Sequence, residues 1–169
     1  MNKMKEIQVD KVIVNFGAGK DAKRLDNGIQ IIKMITDQEP VKTYTEVRIP
    51  AWGLRPGLPV GAKLTLRGEE ANKLLKRFLT AKNNKLPASC VDDYGNVSFG
   101  VPEYIDIPDV KYDPKVGVMG LQMSVKLTRP GFRVARRKLQ TSKIGKSHQI
   151  RKEEAQEFLT KNFGVEFIQ

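Results

Sequence analysis

Val9-Asp10-Lys11-Val12-Ile13-Val14-Asn15-Phe16 is a β-branched run closed by Gly17-Ala18-Gly19, and it predicts a strand. On a two-residue period Val12, Val14 and Phe16 share one face, while Lys11, Ile13 and Asn15 share the other. A strand with one apolar and one largely polar side suits a sheet covered on a single face, and antiparallel sheets tolerate that arrangement. The rest of the chain repeats the pattern. Ala62 to Arg67 sends Leu64 and Leu66 one way and Lys63, Thr65 and Arg67 the other. Leu121 to Arg129 sets Leu121, Met123, Val125 and Leu127 against Gln122, Ser124, Lys126 and Thr128. Val41 to Val47 reads as a further strand, with Lys42, Tyr44, Glu46 and Arg48 on one side.

Three segments have helical periodicity instead. Asp21 is placed to cap the first, where Leu25, Ile29 and Ile32 recur at i, i+4 and i+7. It should end near Asp37, because Pro40 disfavours helical geometry before it. The second opens with Glu69 and Glu70, favourable for the helix dipole, and carries Ala71, Leu74, Leu75, Phe78 and Leu79 as an apolar stripe. The third runs from about Lys152 to Phe163, with Ala155, Phe158, Leu159 and Phe163 on one side. Gly164 stops it, and Val165 to Ile168 forms a short closing strand. Asp93-Tyr94-Gly95-Asn96 suggests a turn joining Ser89–Asp92 to Val97–Val101 as a hairpin.

This order predicts an α+β fold, a mainly antiparallel sheet with helices on one face and a polar, basic face on the other. The 169 residues suit a single domain, 1–169, with an irregular loop at 49–61 and a basic extension at 129–152. Three prolines and three glycines in the loop forbid regular structure there. Trp52, the single tryptophan, either folds back onto the core or stands on a projecting arm with Arg55.

The formal charge is +11, and it is unevenly placed. Arg129, Arg133, Arg136, Arg137, Lys138, Lys143, Lys146, Arg151 and Lys152 fall within 24 residues that contain no acid, leaving only +2 for everything else. Burying such a block would strand unpaired charges, so it should face water or a polyanion. Gly131, Thr141, Ser142, Gly145 and Ser147 among the cations would let the backbone approach phosphates. Lys11, Asn15, Lys63, Thr65, Arg67, Gln122, Ser124, Lys126 and Thr128 give the open sheet face no acid; only Glu46 interrupts it. The alternatives are a solvated loop and a bare solvated face, but neutral surfaces normally mix both signs. No helix presents a row of Arg and Asn for a duplex groove, and no strand presents the interleaved aromatics of an RNA-recognition motif. A broad polar sheet with basic loops suits folded RNA.

Catalysis finds little footing. His148 and Cys90, the only residues of their types, cannot supply a usual zinc ligand set. His148 sits among cations, where a phosphate or solvent contact is expected, and Cys90 reads as a small hydrophobe. Gly17-Ala18-Gly19-Lys20 lacks the Walker spacing and reads as a plain strand-to-helix turn. No cofactor, metal or active site is expected. No apolar run is long enough to span a membrane, Met1 to Asp10 lacks a signal core, and one cysteine excludes an internal disulfide. These features suit a cytoplasmic protein.

Three segments together resemble the universal ribosomal large-subunit protein five family: Lys11 to Gly19, Leu54 to Gly68 (Leu-Arg-Pro-Gly-Leu-Pro-Val-Gly-Ala-Lys-Leu-Thr-Leu-Arg-Gly) and Tyr94 to Val101. Arg129 to Lys138 (Arg-Pro-Gly-Phe-Arg-Val-Ala-Arg-Arg-Lys) and Ile144 to Ile150 resemble its archaeal and eukaryotic branch. The resemblance implies a ribosome-bound, non-enzymatic protein that holds 5S rRNA in the central protuberance through Lys11, Asn15, Gln38, Lys63, Thr65 and Arg67. Gln38 rests on the resemblance alone. Arg129, Arg133, Arg136, Arg137, Lys138, Lys143 and Lys146 would add contacts to large-subunit rRNA. The irregular loop, through Trp52 and Arg55, would approach peptidyl-site tRNA, although its tip is unusually apolar for the family. Neighbouring large-subunit proteins and a small-subunit head protein, through an intersubunit bridge, complete the implied partners. A sequence-indifferent nucleic-acid chaperone is the alternative function, and a nucleotide-dependent enzyme a distant third.

Overall fold

The computed structural model describes residues 2–168. Its elements, in chain order, are β1 (Gln8–Gly17), α1 (Ala22–Thr36), β2 (Val41–Tyr44), β3 (Pro59–Leu66), α2 (Gly68–Ala81), β4 (Lys85–Pro87), β5 (Val97–Val101), β6 (Leu121–Thr128), α3 (Lys152–Phe163) and β7 (Glu166–Ile168). Five strands form one antiparallel sheet in the order β2-β3-β1-β6-β5. The α+β class is thus observed.

The apolar alternation decides which face is covered. Val12, Val14 and Phe16 of β1, Leu64 and Leu66 of β3, and Leu121, Met123, Val125 and Leu127 of β6 are buried on one side. Against them pack Leu25, Ile31, Ile32 and Ile35 of α1 and the full stripe Ala71, Leu74, Leu75, Phe78 and Leu79 of α2. Ile29 is only half-buried; the inward stripe of α1 runs through Gly28 instead, whose missing Cβ leaves room for the Phe16 ring. Asp21 caps α1 by accepting from the Lys23 and Arg24 amides, and Asp37 ends it in the left-handed conformation.

Several boundaries differ from the sequence reading. β2 stops at Tyr44, and β3 begins at Pro59, inside the segment expected to be irregular. Ser89–Asp92 is not a hairpin strand: Ala88–Cys90 is a 3-10 turn, and only Val91 bridges to Val97. The Asp92 carboxylate accepts from the Tyr94 and Asn96 amides and closes the turn together with the backbone bonds Asp92 N–H to the Asn96 carbonyl and Gly95 N–H to the Asp92 carbonyl. The closing strand β7 pairs in parallel with β4, a partner the periodicity did not reveal.

Candidate nucleic-acid interface

Residues directly opposite each other in a ladder lie on the same face, so the register maps the uncovered side residue by residue. One row crosses all five strands: Val41, Lys63, Asn15, Gln122 and Gly100. The next contains Thr65, Ile13, Ser124 and Ser98, and beyond it Lys11 faces Lys126. Asn15 Nδ2 donates to Gln122 Oε1 at 3.1 Å, and the Ser98 and Ser124 hydroxyls are 3.0 Å apart. No acid occupies a paired position on this face.

Three expected positions move, and Gln38 stands off the sheet just past the end of α1, as expected. Glu46 lies beyond the end of β2, so the one acid assigned to the cationic face is not on the sheet. In β2 it is Val41 and Thr43 that share the open face, while Lys42 turns toward Asp26 of α1, 4.0 Å away. Arg67 sits just past β3, at the N-cap of α2, and is exposed. Gln38 lies outside the sheet, and its amide donates to Glu70 of α2 at 2.6 Å. Lys11, Asn15, Lys63 and Thr65 therefore share the face, with Arg67 at its rim. The strand alternation of Val97–Val101 contained the signal for Ser98 and Gly100, which the sequence reading did not use.

The basic segment is not uniformly solvent-facing. Arg129, expected to meet water or a polyanion, is only 6% exposed. Its guanidinium donates to the Gln149 carbonyl at 3.2 Å and to Glu154 Oε1 at 2.8 Å. Glu154 also accepts from the Arg151 amide at 3.0 Å. Burial raises the Glu154 carboxyl, but the Arg151 amide and the Arg129 guanidinium outweigh it and hold the pKa below its ordinary 4.5. Arg136 grips Asp10 through two bonds of 3.0 and 2.7 Å. Asp10 occupies the register shift between Val9 and Lys11, and a bulge re-aims the residue it frees. Burial pushes this carboxyl up, while the Arg136 bonds and charge, with Lys11 and Lys126, bring it below 3.8.

That leaves Arg133, Arg137, Lys138, Lys143 and Lys146 exposed, with no ion pair among the described residues. His148 is half-buried, with one ring nitrogen taken up within the chain. Its Nε2 lies 2.9 Å from the Pro130 carbonyl, which can only accept, and its ring meets Phe132 edge-on.

The loop after β2 is tightly built. Ile49 and Leu54 bridge each other around a 3-10 turn at Pro50–Trp52, with Gly53 at a φ of +67°. Trp52 is 68% exposed, so it projects rather than folding back, and Arg55 is exposed beside it. At Gly17–Lys20 the Ala18 and Gly19 amides both donate to the Val60 carbonyl, which commits the groups a phosphate loop would need. Burial raises the Cys90 thiol despite Lys82 nearby, an environment for packing and not for nucleophilic attack. Among the described residues no cluster of three or more His, Cys, Asp or Glu side chains could hold a metal ion, and no helix is long and apolar enough to cross a membrane.

Two family models match the chain. The one described as "Ribosomal protein L5" covers residues 2–55, and the one for the C-terminus of the same ribosomal protein family covers residues 59–167. The chain is 46% identical to large ribosomal subunit protein uL5 of Nanoarchaeum equitans over 166 residues, spanning 98% of each. Against uL5 of Sulfurisphaera tokodaii identity is 42%, over 100% of this chain and 96% of the relative. Against uL5 of Methanococcus vannielii it is 45%, over 98% and 93%.

The chain belongs to the uL5 family of the large ribosomal subunit.

It is of the archaeal type, a structural constituent of the ribosome and not an enzyme. The two uL5 regions meet within the 49–61 loop, yet β1 and β2 from the first join β3, β5 and β6 from the second in one sheet. The open face thus draws on both regions of the uL5 sequence.

Proposed function

We propose that this uL5 protein holds 5S rRNA on the large subunit through the open face of its sheet. One observation carries the reading: across the strands, every paired position on that face is cationic, neutral and hydrogen-bonding, small, or apolar, and none is acidic. Lys11 and Lys63 supply phosphate contacts, with Arg67 at the rim. Asn15 and Thr65 supply the hydrogen bonds that read 2′-hydroxyls and base edges. Gln38 joins them from the end of α1 by exchanging its Glu70 partner for RNA.

The basic segment adds contacts to large-subunit rRNA in the central protuberance through Arg133, Arg137, Lys138, Lys143 and Lys146. Arg136 contributes while clamped to Asp10, and Arg129 acts from inside by holding the base of the segment. The projecting tip brings Trp52 and Arg55 to peptidyl-site tRNA, next to a bridge with a small-subunit head protein and contacts with neighbouring large-subunit proteins. The whole works as one domain, in the cytoplasm.

Filter binding at matched salt tests this against 5S rRNA, tRNA and duplex DNA. A clear preference for 5S rRNA is expected, weakened by Asn15→Ala and Thr65→Ala without loss of folding. If six to ten phosphates are neutralised, affinity falls by about 10³–10⁵ between about 50 and 200 mM salt. Equal affinity for all three nucleic acids would favour a sequence-indifferent chaperone.

A further inference from the structure

Two glycines on the open face have no reason within the chain. Gly17 ends β1 and Gly100 lies inside β5. Neither has a positive φ. A Cβ on Gly17 would meet nothing within 4 Å, and one on Gly100 would meet only the Leu121 carbonyl at an ordinary 3.7 Å. Gly61, the other strand glycine, is different: a Cβ there would press on the Phe16 carbonyl at 2.5 Å and on Thr43 Oγ1 at 2.9 Å. Glycine weakens a strand and often marks a bulge, a bend or a close approach; no register shift lies at Gly17 or Gly100, which points to close approach by another molecule.

Both glycines line the same open cleft of about 530 Å³ at the end of the sheet, next to the Asn15–Gln122 amide pair. Arg24, from the first turn of α1, and Lys82, at the C-cap of α2, line it too. Neither cation makes an ion pair or a side-chain hydrogen bond among the described residues, and no acid lines the cleft. Two free cations, two amides and bare backbone match a sugar–phosphate chain: cations for the phosphates, amides for hydroxyls, glycines for closeness.

We propose that this cleft seats the RNA backbone as it leaves the sheet, packed on Gly17 and Gly100, with Arg24 and Lys82 on its phosphates. The inference rests on the reading that the open face binds 5S rRNA. It extends the interface beyond the strands to the ends of α1 and α2.

Two independent variants test it by filter binding of 5S rRNA. Gly100→Val fills the cleft with a residue well suited to a strand, so the melting temperature should hold or rise while affinity falls by about tenfold, one good contact's worth. Arg24→Gln with Lys82→Gln should flatten the plot of log affinity against log salt by about 1.5, the release from two phosphates. Wild-type affinity in folded Gly100→Val, or an unchanged salt slope in the double variant, would overturn the cleft. Thr65→Ala, on the open face but outside the cleft, is measured alongside and separates the two readings. If it still weakens binding, the sheet stands without the cleft; if none of the variants alters binding, both fall.

Discussion

Arg129 Nη2 donates to Glu154 Oε1 at 2.8 Å, joining the end of β6 to the first turn of α3 and closing the basic segment into a loop. The two partners are not equivalent. Arg129 is buried and its Nε has no partner, whereas Glu154 is partly exposed and can be rehydrated. Removing the acid therefore strands a buried cation, while neutralising it conservatively keeps an acceptor in place. Glu154→Leu should lower stability by about 2 kcal/mol, discounted from a fully buried pair, and Glu154→Gln by about 1 kcal/mol or less. Urea denaturation of the two variants checks the order; equal losses would mean that an acceptor at position 154 does nothing for Arg129 once the charge is gone.

Acid should loosen the same region. Asp10 and Glu154 have pKa values held below 3.8 and 4.5 in the folded chain. A carboxyl depressed by folding contributes stability that is present above its unfolded value and lost as pH falls through its folded value. The urea midpoint should therefore be flat at neutral pH and drop as pH falls below about 4.5. A variant combining Arg136→Gln with Glu154→Gln should have a lower midpoint at neutral pH and a shallower acid slope.

Gly28 offers a test of packing against propensity. Alanine is the better helix former by about 1 kcal/mol in a helix interior. At this position, however, a methyl group would press into the Phe16 ring in a buried setting. Overpacking of this kind typically costs about 1–3 kcal/mol, so Gly28→Ala should be net destabilising by about 1 kcal/mol. A rise in melting temperature would show that Phe16 shifts without loss.

Trp52 is the sole tryptophan, so its fluorescence reports one site. The free protein should emit like a solvated indole, be fully open to acrylamide quenching, and change little on unfolding. Trp52→Ala should alter stability by no more than about 0.5 kcal/mol, as for a surface side chain. In assembled ribosomes, filling the peptidyl site should reduce quenching; unchanged quenching there would argue against the tRNA contact.

What the sequence reveals follows the range over which each element is determined. The stripe from Ala71 to Leu79 and the alternation from Leu121 to Thr128 are set by local periodicity, and both are legible to the residue. β7 falls within the closing strand expected at Val165 to Ile168, but its three-residue partner β4 exists because Lys85 pairs with Glu166 across the chain, which no short window contains. Arg129 shares its composition with eight other cations, and only the fold brings Glu154 to it. The pairing partners that put Val41 rather than Lys42 on the open face are equally non-local. On the open face, Asn15, Lys63 and Thr65 follow from alternation within their strands. Gly17 and Gly100 become informative only when their empty surroundings are known.

The central position of β1 has a consequence for assembly. Val12 pairs with Leu66 on one side and with Val125 on the other. At common rates of synthesis, Val125 emerges roughly 5–20 seconds after Val12. From the docking of β3 (Pro59–Leu66) until then, β1 has one satisfied edge and one row of unpaired amides and carbonyls, the kind of edge that recruits foreign strands. Yet Ile13, Asn15, Lys63 and Thr65 are already side by side once β3 has docked. On the proposed function, a nascent chain can thus engage RNA with half its platform before the other half has been translated, and early capture would shield the intermediate when it is most prone to aggregate.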